Sequence, residues 1–275
     1  MDGKLFKRSY TGPLLRCLAD SEALQVLTEI HEGHCGNHSG GRTLAHKAMS
    51  QGYYWPTMRK DAIAYSRRCD KCQRFAPTPH LPPEDLTSIT SPWPFIQWGL
   101  DIVGPLPFAP AQKRYILVAT DYFSKWVEAE TYALIKDKDV IKFIWKNLIC
   151  RYGLPQTLIT DNGSQFISTA MQAFCAEWKI QLRYSTPRHP QANGQAESTN
   201  KTIITNMKKR LEDAKGRWSK ELPGVIWASR TTPHNLTSET PFSLAYGTEA
   251  VIHAEVAVPT LRVAQAQQEK NDMLR

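Results

Sequence analysis

Two sets of residues in this chain of 275 have the types and spacing to do chemistry. The first is His31 and His38 followed by Cys69 and Cys72, with six residues between the histidines and two between the cysteines. Two imidazoles and two thiolates make the borderline-soft tetrahedral shell that Zn²⁺ takes, and a module of about 60 residues gains from such a staple because its core is small. A Cys-x-x-Cys pair alone reads equally as a redox pair or as buried thiols; the paired histidines upstream favour zinc. The first ligand stays open, because the run HEGHCGNH also offers His34 and a spare thiol, Cys35. His31 is the preferred reading, and His46, in a helical stretch, reads as structural.

The second set is three carboxylates: Asp101 inside the apolar WGLDIVG, Asp161 at the end of LITDNGSQF, and Glu197 in HPQANGQAESTN. An Asp within an apolar strand is disfavoured unless a metal ion or buried cation compensates its charge. Each acid alone has a plainer reading as a strand-end turn or a helix-start residue that complements the dipole. As a set they change meaning, since 35 residues separate Asp161 from Glu197 and parallel neighbouring strands plus a following helix would bring all three to one sheet edge. Clustered carboxylates repel unless divalent cations neutralise them, and an oxygen-only set suits Mg²⁺ or Mn²⁺. Two such ions support in-line displacement at phosphorus, the chemistry of nucleases and strand transfer. No phosphate-binding glycine loop, Gly-x-Ser-x-Gly elbow or dinucleotide fingerprint competes with that reading.

The positioning elements follow from periodicity. Residues 21–29, with Ser21 as N-cap, 42–49 and 57–69 read as helices of a small module. Six prolines in residues 76–94 remove backbone donors and fix φ, which marks a linker. Beyond it, residues 97–103, 115–120 and 125–130 read as an antiparallel meander and 137–151 as a helix closed by Gly153 and Pro155. Residues 157–160 read as a strand, 164–177 as a helix, 180–184 as a strand, and 192–211 and 218–230 as helices. Trp126, Trp145 and Trp178 read as core. This order predicts an α/β fold, an RNase H-like mixed five-stranded sheet with flanking helices, preceded by a small helical zinc-binding domain. The expected division is an extension at 1–20, the zinc module at 21–75, the linker at 76–94, the core at 95–250 and a tail at 251–275.

Lys and Arg number 34 against 26 Asp and Glu, a net charge of +8 that favours polyanionic partners. Residues 1–80 carry net +5 and the rest +3. On the helix that begins near residue 192, Lys201 and Lys208 recur on the face of Glu197, where DNA phosphates would meet them; the alternative is a solvated basic face. His189, Gln191 and Asn193 precede Glu197 and Ser164 follows Asp161, in turn-rich stretches that read as loops at the site. The longest apolar run, Tyr115–Ala119, is far short of the ~18 residues of a membrane span, and no secretory leader is read, so a membrane role is not expected. Six cysteines are too few and irregular for a disulfide scaffold.

The chain resembles the integrases of gypsy-type LTR retrotransposons, most closely those of plants. HEGHCGNHSGGRTLAHK with GYYWPTMRKDAIAYSRRCDKCQ resembles their HHCC module, and WGLDIVGPLP, DYFSKWVEAE, GLPQTLITDNGSQF, TPRHPQANGQAESTNKTI and PFSLAYGTEAV resemble successive stretches of their catalytic core. The resemblance implies that Asp101, Asp161 and Glu197 match the D,D-35-E triad that binds two Mg²⁺, and that His31, His38, Cys69 and Cys72 match the zinc ligands. It further implies a polynucleotidyl transferase that trims element DNA ends and joins them to target DNA, self-association, and a nuclear location. His34 and His253 stand where such sequences usually carry an apolar residue and a proline. The family's further C-terminal DNA-binding domain is not read here, and the tract LFKRSYTGPLLRCL resembles polyprotein sequence ahead of the zinc module, which suggests a fragment. Two rival expectations remain: a catalytically silent, element-derived DNA-binding protein, and a nuclease or cut-and-paste transposase using the same carboxylates.

Overall fold

The computed structural model describes residues 4–9, 14–33, 36–75, 91–184, 205, 217–234 and 237–266. These fall into two compact units, one drawn from residues 1–76 and 231–275, the other from 77–230.

The unit of 77–230 is built on a five-stranded mixed sheet. Its strands are β4 (Gln97–Val103), β5 (Tyr115–Asp121), β6 (Val127–Tyr132), β7 (Thr157–Thr160) and β8 (Gln181–Tyr184), in the order β6-β5-β4-β7-β8. β4, β5 and β6 form the expected antiparallel meander, and β7 and β8 are parallel to β4. The apolar run of β4 suits its central place, since an interior strand covered on both faces has no solvent side to make polar. β8, at the edge, alternates exposed and half-buried residues.

A helix starts at α5 (Asp137–Phe143) and continues through π-helical turns at Ile144–Ile149 to Tyr152. Its buried face is Val140, Phe143, Ile144 and Leu148, a stripe at helical spacing. α6 (Thr169–Glu177) begins five residues later than the sequence predicts. The amides of Phe166 and Ile167 turn back to the Gly163 carbonyl, and Ser168 Oγ caps the helix by accepting from Met171 N at 3.2 Å. α7 (Trp218–Arg230) lays Trp218, Leu222, Val225 and Ile226 on Val103, Ile116, Val118 and Val127. Each such fully buried aliphatic side chain contributes about 1.5–3 kcal/mol. Trp126 is core as expected, but Trp145 is 42 % exposed, its ring set 5.1 Å from that of half-buried Trp178. Trp145 follows Ile144 and so lies off the buried stripe.

The other unit holds α1 (Asp20–Glu32), α2 (Gly41–Ser50), α3 (Met58–Arg68) and α4 (Asp70–Arg74), matching the expected helical module. Ala19, not Ser21, is the N-cap of α1, and Glu22 reaches back to accept from Ala19 N. Three short strands add to the helices: β1 (Phe6–Arg8), β2 (Leu14–Cys17) and β3 (Tyr53–Tyr54), with β2 antiparallel to β1 and parallel to β3.

Residues 231–266, with α8 (Pro241–Tyr246) and α9 (His253–Ala257), belong to this unit, which differs from a core running to residue 250. Polar anchors explain the assignment: Tyr53 Oη donates to the Val258 carbonyl and Arg16 to that of Pro259, each at 2.7 Å. Arg262 donates to the carbonyls of Glu249 and Ala250 and to buried Glu255, whose other oxygen accepts from Thr260. Among the described residues no helix is long and apolar enough to cross a membrane.

Candidate metal centres

The zinc-type cluster is assembled from the ends of elements. In α1 the buried positions are Ala23, Val26, Leu27, Ile30 and His31, so the same stripe that seats the helix carries His31 inward to 0 % exposure. His38 lies in the following loop with a left-handed φ of 50° and is 6 % exposed. Cys69 is the extended residue between α3 and α4, and Cys72 sits in α4, so the two-residue spacing spans one turn.

Cys72 Sγ approaches His31 Nε2 and Cys69 Sγ approaches His38 Nδ1, each at 3.3 Å. No pair among the four ligand atoms is more than 4.8 Å apart. Zinc bond lengths imply tetrahedral edges of about 3.3–3.8 Å, so a donor set of two soft thiolates and two imidazoles at these separations fits Zn²⁺ with small adjustment. Among the described residues this is the group of three or more His, Cys, Asp or Glu side chains so gathered. His34 and Cys35 lie outside them.

Tyr65 is a neighbour that sequence reasoning missed. Its ring meets His31 edge-on at 5.4 Å, while its hydroxyl donates to Glu32 and Thr28. Its place four residues before Cys69 on α3 was the available signal, because that spacing sets a helical residue on the ligand's side.

The carboxylate site is set by strand register. β4 and β7 run parallel with Gln97 opposite Thr157, Trp98 opposite Leu158 and Gly99 opposite Ile159. Asp101 lies two residues beyond Gly99 within β4 and Asp161 two residues beyond Ile159, just past the end of β7, so both follow the last paired residues of adjoining parallel strands, toward the carboxyl side where open α/β sheets present their sites. Asp161 is exposed just beyond β7 and Asp101 is half-buried within β4. One oxygen of each is held locally: Ile102 N donates to Asp101 Oδ1 at 2.7 Å and Gly163 N to Asp161 Oδ1 at 3.0 Å. No cationic side chain pairs with Asp161 among the described residues. Hard carboxylate oxygen donors carried on adjoining strands are the type that a divalent cation such as Mg²⁺ or Mn²⁺ takes.

Ser164 is exposed and, among the described residues, its hydroxyl donates to its neighbour Gln165 Oε1 at 3.3 Å. Glu197, Lys201, Lys208, His189, Gln191 and Asn193 lie outside the described residues, and with them the third arm of the expected triad and most of the expected DNA contacts.

Comparison with known proteins agrees with this division of labour. A model of the integrase zinc binding domain matches residues 19–78, and one of the integrase core domain matches residues 92–190. The gypsy retrotransposon integrase-like protein 1 of Bos taurus is 30 % identical over 226 residues, 80 % of this chain and 44 % of that protein. The Pro-Pol polyprotein of feline foamy virus is 30 % identical over 220 residues, 79 % of this chain and 18 % of the polyprotein. The chain therefore spans less than half the length of either relative. Among solved structures, the simian T-cell lymphotropic virus intasome in complex with the PP2A regulatory subunit B56 gamma contains a similar chain. It has a TM-score of 0.59 and 18 % identity over 82 % of this chain and 74 % of that one, a likeness of fold. The chain thus carries an integrase zinc binding domain followed by an integrase core domain, and its relatives include gypsy retrotransposon integrase-like proteins and retroviral Pro-Pol polyproteins.

Proposed function

We propose that this chain is a retrotransposon integrase that trims the 3′ ends of element DNA and joins them to target DNA by metal-dependent phosphoryl transfer. The observation that supports this most is the parallel pairing of β4 with β7, in which Asp101 and Asp161 each come two residues after the paired Gly99 and Ile159. In this reading Asp101, Asp161 and Glu197 hold two Mg²⁺ ions, which when bound supply activation of the attacking oxygen and neutralisation of charge on the leaving one. Asp161, exposed, meets the scissile phosphodiester, while Asp101, half-buried in the central strand, gives the site its rigid side. The Ile102 and Gly163 amides fix one oxygen of each carboxylate and so limit its rotation.

His31, His38, Cys69 and Cys72 hold Zn²⁺ and fold the N-terminal module. Lys201, Lys208, His189, Gln191, Asn193 and Ser164 contact the DNA. The partners are the element ends and target DNA, the active form is a homo-oligomer, and the work is done in the nucleus.

The test is a strand-transfer assay on the full chain with an element-end oligonucleotide, a supercoiled target and Mg²⁺ or Mn²⁺. Asp161→Asn should abolish joined product while leaving salt-sensitive DNA binding intact. Joining at an unchanged rate in that variant overturns the mechanism. A blank for the wild-type chain beside tight DNA binding favours the catalytically silent DNA-binding protein.

A further inference from the structure

Gly163 has an ordinary backbone conformation, outside the left-handed region, so its identity is not required by φ. What a side chain there would meet is decisive. An added Cβ would stand 3.0 Å from Asp161 Oδ1, 3.3 Å from Phe166 Cδ2 and 3.4 Å from Gln165 Oε1. At least one neighbour must give by a few tenths of an ångström. Phe166 is 1 % exposed and its amide is tied to the Gly163 carbonyl at 2.9 Å, so it is held. The Asp161 carboxylate is the far end of an exposed side chain held at one oxygen by a single amide, so it gives before buried Phe166 does. The displacement falls on Asp161, and the bond from Gly163 N to Oδ1 is strained with it.

We infer that Gly163 is a positioning residue for Asp161: its amide holds Oδ1, and its missing side chain leaves that oxygen its place, so that the carboxylate keeps the orientation in which it can meet a divalent cation. The inference rests on Asp161 being a metal ligand, as proposed above. Mg²⁺ requires near-octahedral geometry at about 2.0–2.1 Å, whereas Ca²⁺ accepts flexible shells at about 2.3–2.6 Å. A carboxylate moved by a few tenths of an ångström therefore weakens Mg²⁺ binding more than Ca²⁺ binding, a selectivity change that a general loss of stability does not produce.

The experiment is calorimetric titration of the zinc-loaded full chain with Mg²⁺ and with Ca²⁺, for wild type, Gly163→Ala, Gly163→Ser and Asp161→Asn, beside unfolding midpoints. Gly163→Ala is expected to weaken Mg²⁺ binding by about tenfold to a hundredfold, the usual cost of losing a ligand's supporting contact, and Ca²⁺ binding by less. Gly163→Ser, with the same Cβ, must show the same ordering. Unchanged Mg²⁺ affinity in the two Gly163 variants, with Asp161→Asn losing it, overturns the positioning role alone. An equal loss of both ions alongside a lowered unfolding midpoint overturns it too, in favour of a purely structural glycine. Undiminished binding in Asp161→Asn removes the metal-ligand reading beneath it.

Discussion

Cys72 Sγ lies 3.3 Å from His31 Nε2 although 41 positions separate the two residues. The contact joins the C-terminal turn of α1 to α4, and its companion between Cys69 and His38 joins the following loop to the end of α3. A metal at this point ties together segments that would otherwise meet through a modest apolar core containing Val26, Ile30, Leu44 and Ala62.

Zinc removal should therefore unfold the N-terminal module. At free zinc a thousandfold above its dissociation constant, linkage stabilises the folded form by about 4.1 kcal/mol. A chelator, or Cys72→Ser, is expected to remove a stabilisation of that order and to expose the Cys69 thiol to alkylation. Thermal unfolding with and without added Zn²⁺, and mass mapping of labelled thiols, check this; an unfolding curve indifferent to zinc refutes it.

Glu128 is a buried carboxylate with four donors: Trp126 Nε1, Tyr152 Oη, Arg151 and Arg230. The arginines are unequal, because the Arg230 side chain is 14 % exposed and that of Arg151 is 46 %. Removing the buried partner leaves an uncompensated charge, so Arg230→Ala should cost about 3–5 kcal/mol. Arg151→Ala, at the solvent-screened end, should cost about 0–1 kcal/mol. Urea unfolding of the two variants measures the ratio, and equal losses would show that burial does not govern this network.

Burial pushes the Cys175 thiol up to about 11, so at pH 8 about one molecule in a thousand carries the nucleophilic thiolate. Cys150, on the helix that follows α5, is exposed. Iodoacetamide at pH 8 should label Cys150 in the native protein and leave Cys175 unmodified, with Cys175 labelled on denaturation. Peptide mapping reads both outcomes, and early labelling of Cys175 would show that its site opens readily.

Asp121 is fully buried at the end of β5, and burial raises its pKa above the ordinary 3.8 despite hydrogen bonds from Ser124 N, Ser124 Oγ and Phe95 N. A carboxyl with a raised native pKa binds protons more readily folded than unfolded. Its stabilising contribution is complete below the unfolded value and is lost as pH rises through the native one. Asp121→Asn keeps an oxygen acceptor but does not titrate. Wild-type stability relative to the variant should fall as pH climbs above about 4, as urea midpoints across that range would reveal. A difference that stays constant with pH would refute the titration of Asp121.

Much of this molecule is legible in its sequence because the signals are local. The two-residue spacing of Cys69 and Cys72, the paired histidines upstream, the apolar runs of β4 and β5 and the proline-rich tract each report on a few consecutive residues. From these come the element types, their order, the zinc-type donor set and the suspicion raised by an Asp inside an apolar strand. What tertiary structure alone decided is non-local. That Asp101 and Asp161 follow the paired residues Gly99 and Ile159 of adjoining strands depends on the register of β4 and β7, and one residue of slip would turn every side chain of a strand to the other face. That residues 231–266 join the N-terminal unit depends on Tyr53, Arg16 and Arg262 finding carbonyl partners distant along the chain. Trp145 reaches the surface because Val140, Phe143, Ile144 and Leu148 take the buried stripe of its helix and Trp145 lies off it, which an aromatic residue type alone does not reveal. Spacing names the candidate ligands, but which backbones lie side by side is set by the summed packing of the whole unit, and no short window of sequence contains that sum.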